Sequence, residues 1–303
     1  MELIECVPNF SEGRRDKVID RLVAAIAAVP GAKVIDRQKD SGHNRCVITF
    51  LGTPEAAAEA AFRATREAAE AIDMRSHTGA HPRMGATDVV PFVPLGDVPM
   101  GRCVEIAKAV ARRIGEELQI PVYLYAEAAS RPERKRLPDV RKGEYAAIRD
   151  EMGKDPARDP DFGPRAMNLK SGATAVGARW PLLAYNINLR VANGRTVEEG
   201  VGSAKKIAKK VRESSGGLPC VQAMGLRVTG GDLVQVSMNL TNFRVTSLKQ
   251  VWDEVGSLAK THGLEVVESE FVGCIPRAAL GGLGPDAFKA RDFKDSQILE
   301  NHV

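Results

Sequence analysis

Two stretches of this 303-residue chain run through one order of elements: strand, helix, two strands, helix, strand. Such a duplicated order restricts the fold more than any single motif. In the first stretch, Leu3 to Val7 reads as a strand, and Ser11 as the N-cap of a helix from about Arg14 to Ala28 that Pro30-Gly31 closes. Lys33 to Arg37 and Arg45 to Leu51 read as strands, the second dense in β-branched residues. Thr53-Pro54 opens an alanine-rich helix reaching about Ile72, and Asp88 to Val93 supplies the next strand. A further helix, Gly101 to Leu118, and strand, Val122 to Tyr125, follow.

The second stretch repeats the order. Leu182 to Leu189 is a strand, Thr196 to Glu213 a helix, Val221 to Leu226 and Leu233 to Leu240 strands around the turn Thr229-Gly-Gly-Asp, Ser247 to Thr261 a helix, and Val266 to Val272 a strand. This is the split-βαβ order. The sequence therefore predicts an α+β protein of two tandem ferredoxin-like (βαββαβ) subdomains, residues 1–180 and 181–303, with joined sheets and helices on the outer faces. Between them, Ala129 to Arg179 is rich in Pro, Gly, Arg and Asp and loses apolar periodicity after Ile148. A connector of that length reads as a functional loop or a linker.

Composition narrows the classes. Charged residues interrupt every apolar run well before the ~18 residues of a membrane span. The N-terminus lacks the basic and apolar regions of a secretory signal, so a cytoplasmic protein is expected. The net charge of +4 is modest. The strands Arg45–Phe50 and Leu233–Leu240 hold one aromatic between them, which argues against base stacking on nucleic acid. Arg131 to Lys142 is an exception in charge, six basic residues against two acidic, and reads either as a solvated connector or as a docking surface for a polyanion. The five cysteines, Cys6, Cys46, Cys103, Cys220 and Cys274, are too scattered for a disulfide framework or a zinc knuckle. Buried packing is expected for them, with a nucleophile at Cys6 or Cys46 as the alternative. His262 and His302 stand too far from other ligands to suggest a metal site.

Chemistry concentrates in His77 to Pro94, which holds two of the five histidines, Arg83 and two glycines without helical periodicity. Pro82 keeps His81 out of the helical region. An imidazole titrating near ~6.5 can accept and return a proton near neutrality. Neighbouring Arg83 and His77 favour its neutral form and attract an anion. In the connector, Asp161 to Arg179 combines glycines, Arg165, Lys170 and the backbone donors of Ser171 to Thr174, a composition suited to a flat anionic heterocycle.

Several ungapped blocks then occur in order: Glu5-Cys-Val-Pro-Asn-Phe-Ser-Glu-Gly13, Asn44-Arg45, His81-Pro-Arg-Met-Gly-Ala86, Pro121-Val-Tyr-Leu-Tyr125, Gly143-Glu-Tyr145, Asp161-Phe-Gly-Pro164, Gly172-Ala-Thr174, Gly177-Ala-Arg179 and Asn186-Ile-Asn-Leu189. Through them the chain resembles the formiminotransferase family nearly end to end. Members of that family stand alone in bacteria and are fused to a cyclodeaminase in animals, and the length here fits the transferase part. The resemblance implies transfer of a formimidoyl group between N-formimidoyl-L-glutamate and tetrahydrofolate, giving 5-formimidoyltetrahydrofolate and L-glutamate, a late step of histidine degradation. Tetrahydrofolate would enter as co-substrate, with no metal.

The resemblance places the catalytic histidine on His81, as general acid and base, and the folate-binding segment on Gly163, Pro164, Arg165, Ala166, Met167, Asn168, Leu169, Lys170, Ser171 and Gly172. It also implies a homodimer, and leaves open whether a separate cyclodeaminase serves as a partner. Gln38 stands where animal relatives carry an acid, so Asp36 or Asp40 is expected to orient His81. Arg45 and Arg83 are the candidates for the substrate carboxylates, since guanidinium binds carboxylate bidentately. Two alternatives share the same residues: an enzyme acting on 5-formyltetrahydrofolate, and a non-catalytic folate-binding regulatory protein.

Overall fold

The computed structural model describes residues 2–192, 194–228, 231–290 and 292–303. They form a mixed α/β structure in two units, Met1–Arg179 and Trp180–Val303, each with its own sheet.

In the first unit, β1 (Ile4–Cys6) and β2 (Asn9–Phe10) form one interrupted strand, antiparallel to both β4 (Arg45–Gly52) and β5 (Thr87–Pro94). Outside β4 lies β3 (Ala32–Asp40), antiparallel; beyond β5 come β7 (Thr174–Ala178) and then β6 (Val122–Ala126), both parallel. Helices α1 (Asp16–Ala27), α2 (Pro54–Ala71) and α3 (Met100–Glu117) carry apolar stripes at helical spacing. Ile19, Leu22, Ala60, Ile106 and Val110 from those stripes share a core with Cys6, Ile48, Phe50 and Phe92 of the strands. Burial of such side chains contributes ~1.5–3 kcal/mol each before chain entropy is charged against it.

Two expectations are corrected here. Ser11 does not cap α1. Its buried hydroxyl donates to Gly85 O at 2.7 Å, and the carboxylate of Glu12 instead accepts the backbone N–H groups of Arg14 and Arg15, each at 2.9 Å. A carboxylate suits that position because it faces the positive end of the helix dipole. Nor is the stretch from Ala129 to Arg179 a bare connector. It holds α4 (Leu137–Val140), α5 (Glu144–Glu151) and β7. Val140, Ile148 and Met152 cover a second face of the sheet by packing with Val89, Tyr123, Tyr125 and Ala175. That end of the sheet is buried on both sides, as parallel strands usually are. The strand β7 reads Thr-Ala-Val-Gly-Ala because it must be thin: a Cβ on Gly177 would meet Tyr125 O at 2.4 Å and the Tyr125 ring at 2.6 Å.

The second unit orders its strands β11 (Leu264–Val272), β8 (Leu183–Val191), β10 (Leu233–Leu240) and β9 (Val221–Arg227), all antiparallel. Helices α6 (Val197–Val211) and α7 (Leu248–Thr261) start at capping boxes, Thr196 with Glu199 and Ser247 with Gln250. Strict alternation sends Leu183, Tyr185, Ile187, Leu189, Val234, Val236 and Met238 into the core with Ile207, Val211, Val251 and Val255. Ile275 and Ile298, paired by an isolated parallel bridge after β11, and Phe288, from a 3-10 turn between them, join that core. Thr229 and Gly230, of the turn expected between β9 and β10, lie outside the described residues. Among the described residues no helix is long and apolar enough to cross a membrane.

Candidate active site

Residues 77–86 link α2 to β5 without regular structure, yet their backbone is held tightly. Ala86 N–H donates to Ser171 O at 2.7 Å and Ala173 N–H to Met84 O at 2.9 Å, around a bridge between Gly85 and Gly172. The two glycines permit this approach, since a Cβ on Gly85 would sit 2.1 Å from Ala173 O. Asn44 secures the other side: its Nδ2 donates to Thr78 O at 2.8 Å, while its Oδ1 accepts Gly13 N–H at 2.9 Å. Arg83 ties the loop from within by donating to the carbonyls of His77, Gly79 and His81 at 3.0–3.2 Å. Tyr145 adds a further tie, its N–H to Arg83 O at 2.9 Å and its hydroxyl to Leu169 O at 2.7 Å.

His81 is held on this frame. Arg45, at the start of β4, donates from Nη1 to His81 Nε2 at 2.8 Å. A guanidinium has no acceptor, so Nε2 supplies the lone pair and the neutral ring carries its proton on Nδ1. Burial, together with the charges of Arg45, Arg141, His43 and Arg83, pushes the pKa of His81 down from the usual ~6.5 to about 3. The His43 ring stands edge-on to His81 at 6.4 Å between centroids. The carboxylate of Asp40 accepts His43 Nδ1–H and N–H, both at 2.8 Å. His77 donates from Nε2 to Asn44 O at 3.2 Å, and its pKa is also lowered, by burial and then Arg83.

Beneath these cations lies one fully buried carboxylate. Asp88 falls at a bulge in β5, where the register slips between the pairs Phe10–Thr87 and Asn9–Val89. It accepts Met84 N–H at 2.9 Å and meets Arg141, at the end of α4, at 2.5 Å. Burial raises the Asp88 pKa while Arg141 opposes the rise. Near His81, then, three arginines face one buried carboxylate, the more distant Asp40 and, on Arg83, the exposed Glu144 at 3.6 Å.

The residues expected from sequence fall in several places. His81, Arg45 and Arg83 come together, but Arg83 spends its donors on backbone carbonyls and one ion pair with Glu144 at 3.6 Å. Asp40 bonds to His43, and Asp36 accepts Gln38 Nε2–H at 2.9 Å; neither is bonded to His81. In the 163–172 segment, Ser171 and Gly172 belong to the clamp, and Gly163 crosses α3 beside Gly115 and Ile120. Asn168 closes the turn by accepting Ser171 N–H at 3.0 Å, and Lys170 donates to Glu70 O at 2.8 Å. Arg165 and Leu169 are exposed, Arg165 with Asp159 at 3.6 Å; Ala166 is exposed, while Pro164 and Met167 are half-buried.

Arg141 and Asp88 were missed as site residues. Arg141 sits in the basic run Arg131–Lys142, which does not form one exposed patch. Arg141 turns in to Asp88, and buried Arg134 pairs with Asp161 at 2.7 Å. Only the alternation of charge and turn residues there hinted at inward-facing cations. Cys6, Cys46 and Cys103 are buried as expected, whereas Cys220 and Cys274 are half-exposed. In the second unit, Asn186 and Asn188 donate to Glu270 and Glu268 at 2.8 and 3.1 Å, and Gln235 to Asn188 at 2.9 Å, forming a polar face opposite the helices. A cavity of about 370 Å³ in the first unit lies among Tyr123, Arg134, Lys142 and Arg158, and one of about 240 Å³ among Glu12, Arg14, Asn44 and His77. Neither is lined by His81, whose surroundings are set apart by charge.

A neutral imidazole on a tightly held loop among guanidiniums is an arrangement that can do acid–base chemistry on an anionic substrate. Comparison with known proteins agrees. The sequence pattern of the formiminotransferase domain, N-terminal subdomain, matches residues 3–179, and that of the formiminotransferase domain matches residues 184–291. The chain is 43% identical to a glutamate formimidoyltransferase of Streptococcus pyogenes serotype M1 over 303 residues, covering 100% of this chain and 99% of the relative. It is 44% identical to a glutamate formimidoyltransferase of Thermoplasma acidophilum over 309 residues, covering 100% and 98%. A formimidoyltransferase-cyclodeaminase of Rattus norvegicus is 45% identical over 307 residues, which span 99% of this chain and 55% of that protein. The chain belongs to the formiminotransferase family.

Proposed function

We propose that this chain transfers the formimidoyl group between N-formimidoyl-L-glutamate and tetrahydrofolate, with His81 as the proton carrier. The observation that carries the reading is the Arg45–His81 pair: an imidazole kept neutral, with its basic nitrogen turned to a guanidinium, on a chain matched end to end by proteins named for this transfer. The folate nitrogen attacks the formimidoyl carbon, and its proton passes to His81 Nε2. As the tetrahedral adduct collapses, the carbon–nitrogen bond to glutamate breaks and the departing amine takes that proton. Returning one proton this way typically contributes ~10²–10⁴-fold in rate.

Arg45 and Arg141 supply the positive charge for the glutamate carboxylates, and Arg83 holds the loop. For the folate, the clamp leaves Arg165 to Lys170 as the accessible part of the 163–172 segment. Asp40 acts on His81 through the His43 ring, and Asp36 is left to the β3 hairpin. In both units the last strand of the strand-helix-strand-strand-helix-strand repeat lies beside the first, and the order β5, β1/β2, β4, β3 matches β11, β8, β10, β9. This supports two tandem ferredoxin-like subdomains divided near residue 180. A cytoplasmic homodimer served by a separate cyclodeaminase completes the reading, the latter supported by the fusion that the rat relative's name states.

Single-turnover formation of 5-formimidoyltetrahydrofolate, followed in wild type and His81→Ala with folate binding measured in parallel, tests it. Product from the wild type and loss of ~10²-fold or more in the variant, with folate still bound, is the expected result. No product from either protein refutes the transfer, and equal rates remove His81 from it.

A further inference from the structure

A general base needs a free lone pair, and His81 has none to spare. Its Nδ1 carries the proton and its Nε2 lone pair accepts Arg45 Nη1–H at 2.8 Å. Arg45 is itself poorly satisfied: it is half-buried and among the described residues has no carboxylate partner, so its cation leans on a neutral ring. A partly desolvated cation without a counter-charge is an expensive arrangement, and an anion relieves it. The nearest fixed carboxylates are engaged already, Asp88 with Arg141 and Asp40 with His43. Buried donors around the same point are also in excess, since Arg83 Nε and Arg141 Nε have no hydrogen-bond partner.

We propose that Arg45 gates His81: where it stands now its guanidinium occupies the imidazole lone pair, and a carboxylate of the glutamate substrate draws it away, opening Nε2 to take a proton. This rests on the transferase reading for the identity of the anion. The gate links binding to chemistry without moving the loop. The carboxylate lowers the positive potential that Arg45 and Arg141 impose on the ring, and Arg45 gains the partner it lacks. The other charged groups facing His81 are Arg83 of its own loop, His43 with Asp40 from the β3–β4 turn, and Asp88 from β5 behind Arg141. Burial and these cations together hold the ring far below the pKa that suits a shuttle at neutral pH, so a change that removes cations from its surroundings works in the needed direction.

The test uses the whole chain labelled with ¹⁵N-histidine, the ring nitrogens followed by long-range ¹H–¹⁵N spectra between about pH 4.5 and 8, with His81 assigned by its loss in His81→Asn. L-glutamate serves as the anion, its binding measured by calorimetry. Without it, the ring stays neutral with its proton on Nδ1 across the range. With saturating L-glutamate the His81 midpoint rises by about two units or more, a hundredfold gain in proton affinity that brings it inside that range. Arg45→Met raises the midpoint without L-glutamate and removes most of the further rise that L-glutamate causes in the wild type; a merely structural arginine would leave that rise in place. L-glutamate that binds without moving the ring, or that does not bind at all, overturns the gate. The two readings fail separately: a ring that responds with no formimidoyl transfer in single turnover refutes the transferase and leaves the gate, while transfer with an unresponsive ring does the reverse.

Discussion

Gly172→Ala attacks the clamp that fixes the histidine loop. Gly172 has φ +75°, a left-handed backbone that costs an alanine ~1–2 kcal/mol, and its new Cβ would lie 2.3 Å from Met84 O and 2.5 Å from Gly85 Cα. Contacts under 3.0 Å are essentially never seen, so a Cβ at 2.3 Å must retreat by about 0.7 Å, and both obstacles are backbone, which has little room to give. Overpacking of this kind adds ~1–3 kcal/mol, for a loss of roughly 2–5 kcal/mol in all. The displaced backbone, Met84–Gly85, belongs to the loop that carries His81. A misplacement near 1 Å typically costs ~10²-fold in rate. Urea unfolding followed by far-UV circular dichroism and the single-turnover assay measure the two effects. Gly101→Ala in α3 is the control, because its Cβ meets nothing within 4 Å; it should be neutral or gain up to ~1 kcal/mol. Wild-type stability and rate in Gly172→Ala would refute the clamp.

Two further outcomes are expected. With His81 at about 3 when folded and ~6.5 when unfolded, the unfolded chain binds the extra proton between those values, so stability rises with pH in that window and is lost on acidification. His77 acts in the same sense. The melting temperature should therefore fall from pH 7 to pH 5 and fall less in His81→Gln; identical slopes would place the acid sensitivity elsewhere. The thiols of Cys46 and Cys103 are pushed up to about 12 by burial, and burial also raises that of Cys6 well above the ordinary thiol range, so iodoacetamide should label native protein only at Cys220 and Cys274. Mass-spectrometric detection of Cys6 or Cys46 adducts at comparable rates would contradict this and reopen a cysteine nucleophile.

Most of the elements were legible because their signals are local. Alternation in β8 and β10, the 3.6-residue stripes of α1, α3 and α6, and the helix starts at Thr196 and Ser247 need only neighbouring residues to be read. Ser11 misled because an N-cap residue type just before an apolar stripe looks the same whether its hydroxyl faces the helix or, as here, a carbonyl 74 residues away. The strand β7 was invisible for a different reason. Alanine and glycine carry no periodic signal, and their small size answers to Tyr125 on the paired strand. His81 and Arg45 were readable as candidate types. The roles of Arg83 and Arg141 were not, since an arginine that ties up carbonyls and one that faces a ligand look alike in a sequence.

The sequence by itself determined the two repeated element orders, the rigid glycine-flanked histidine loop and the family to which they belong, because side-chain periodicity and turn residues act over a few positions. Tertiary structure alone decided which charges meet. His81 draws its neighbours from Arg45, His43 and Arg141, on separate elements, and Asp88 reaches Arg141 only because a bulge and a two-faced sheet bring β5 under α4. The protonation state of the imidazole follows from that convergence, since burial and Coulomb forces depend on distance in space and not on separation along the chain.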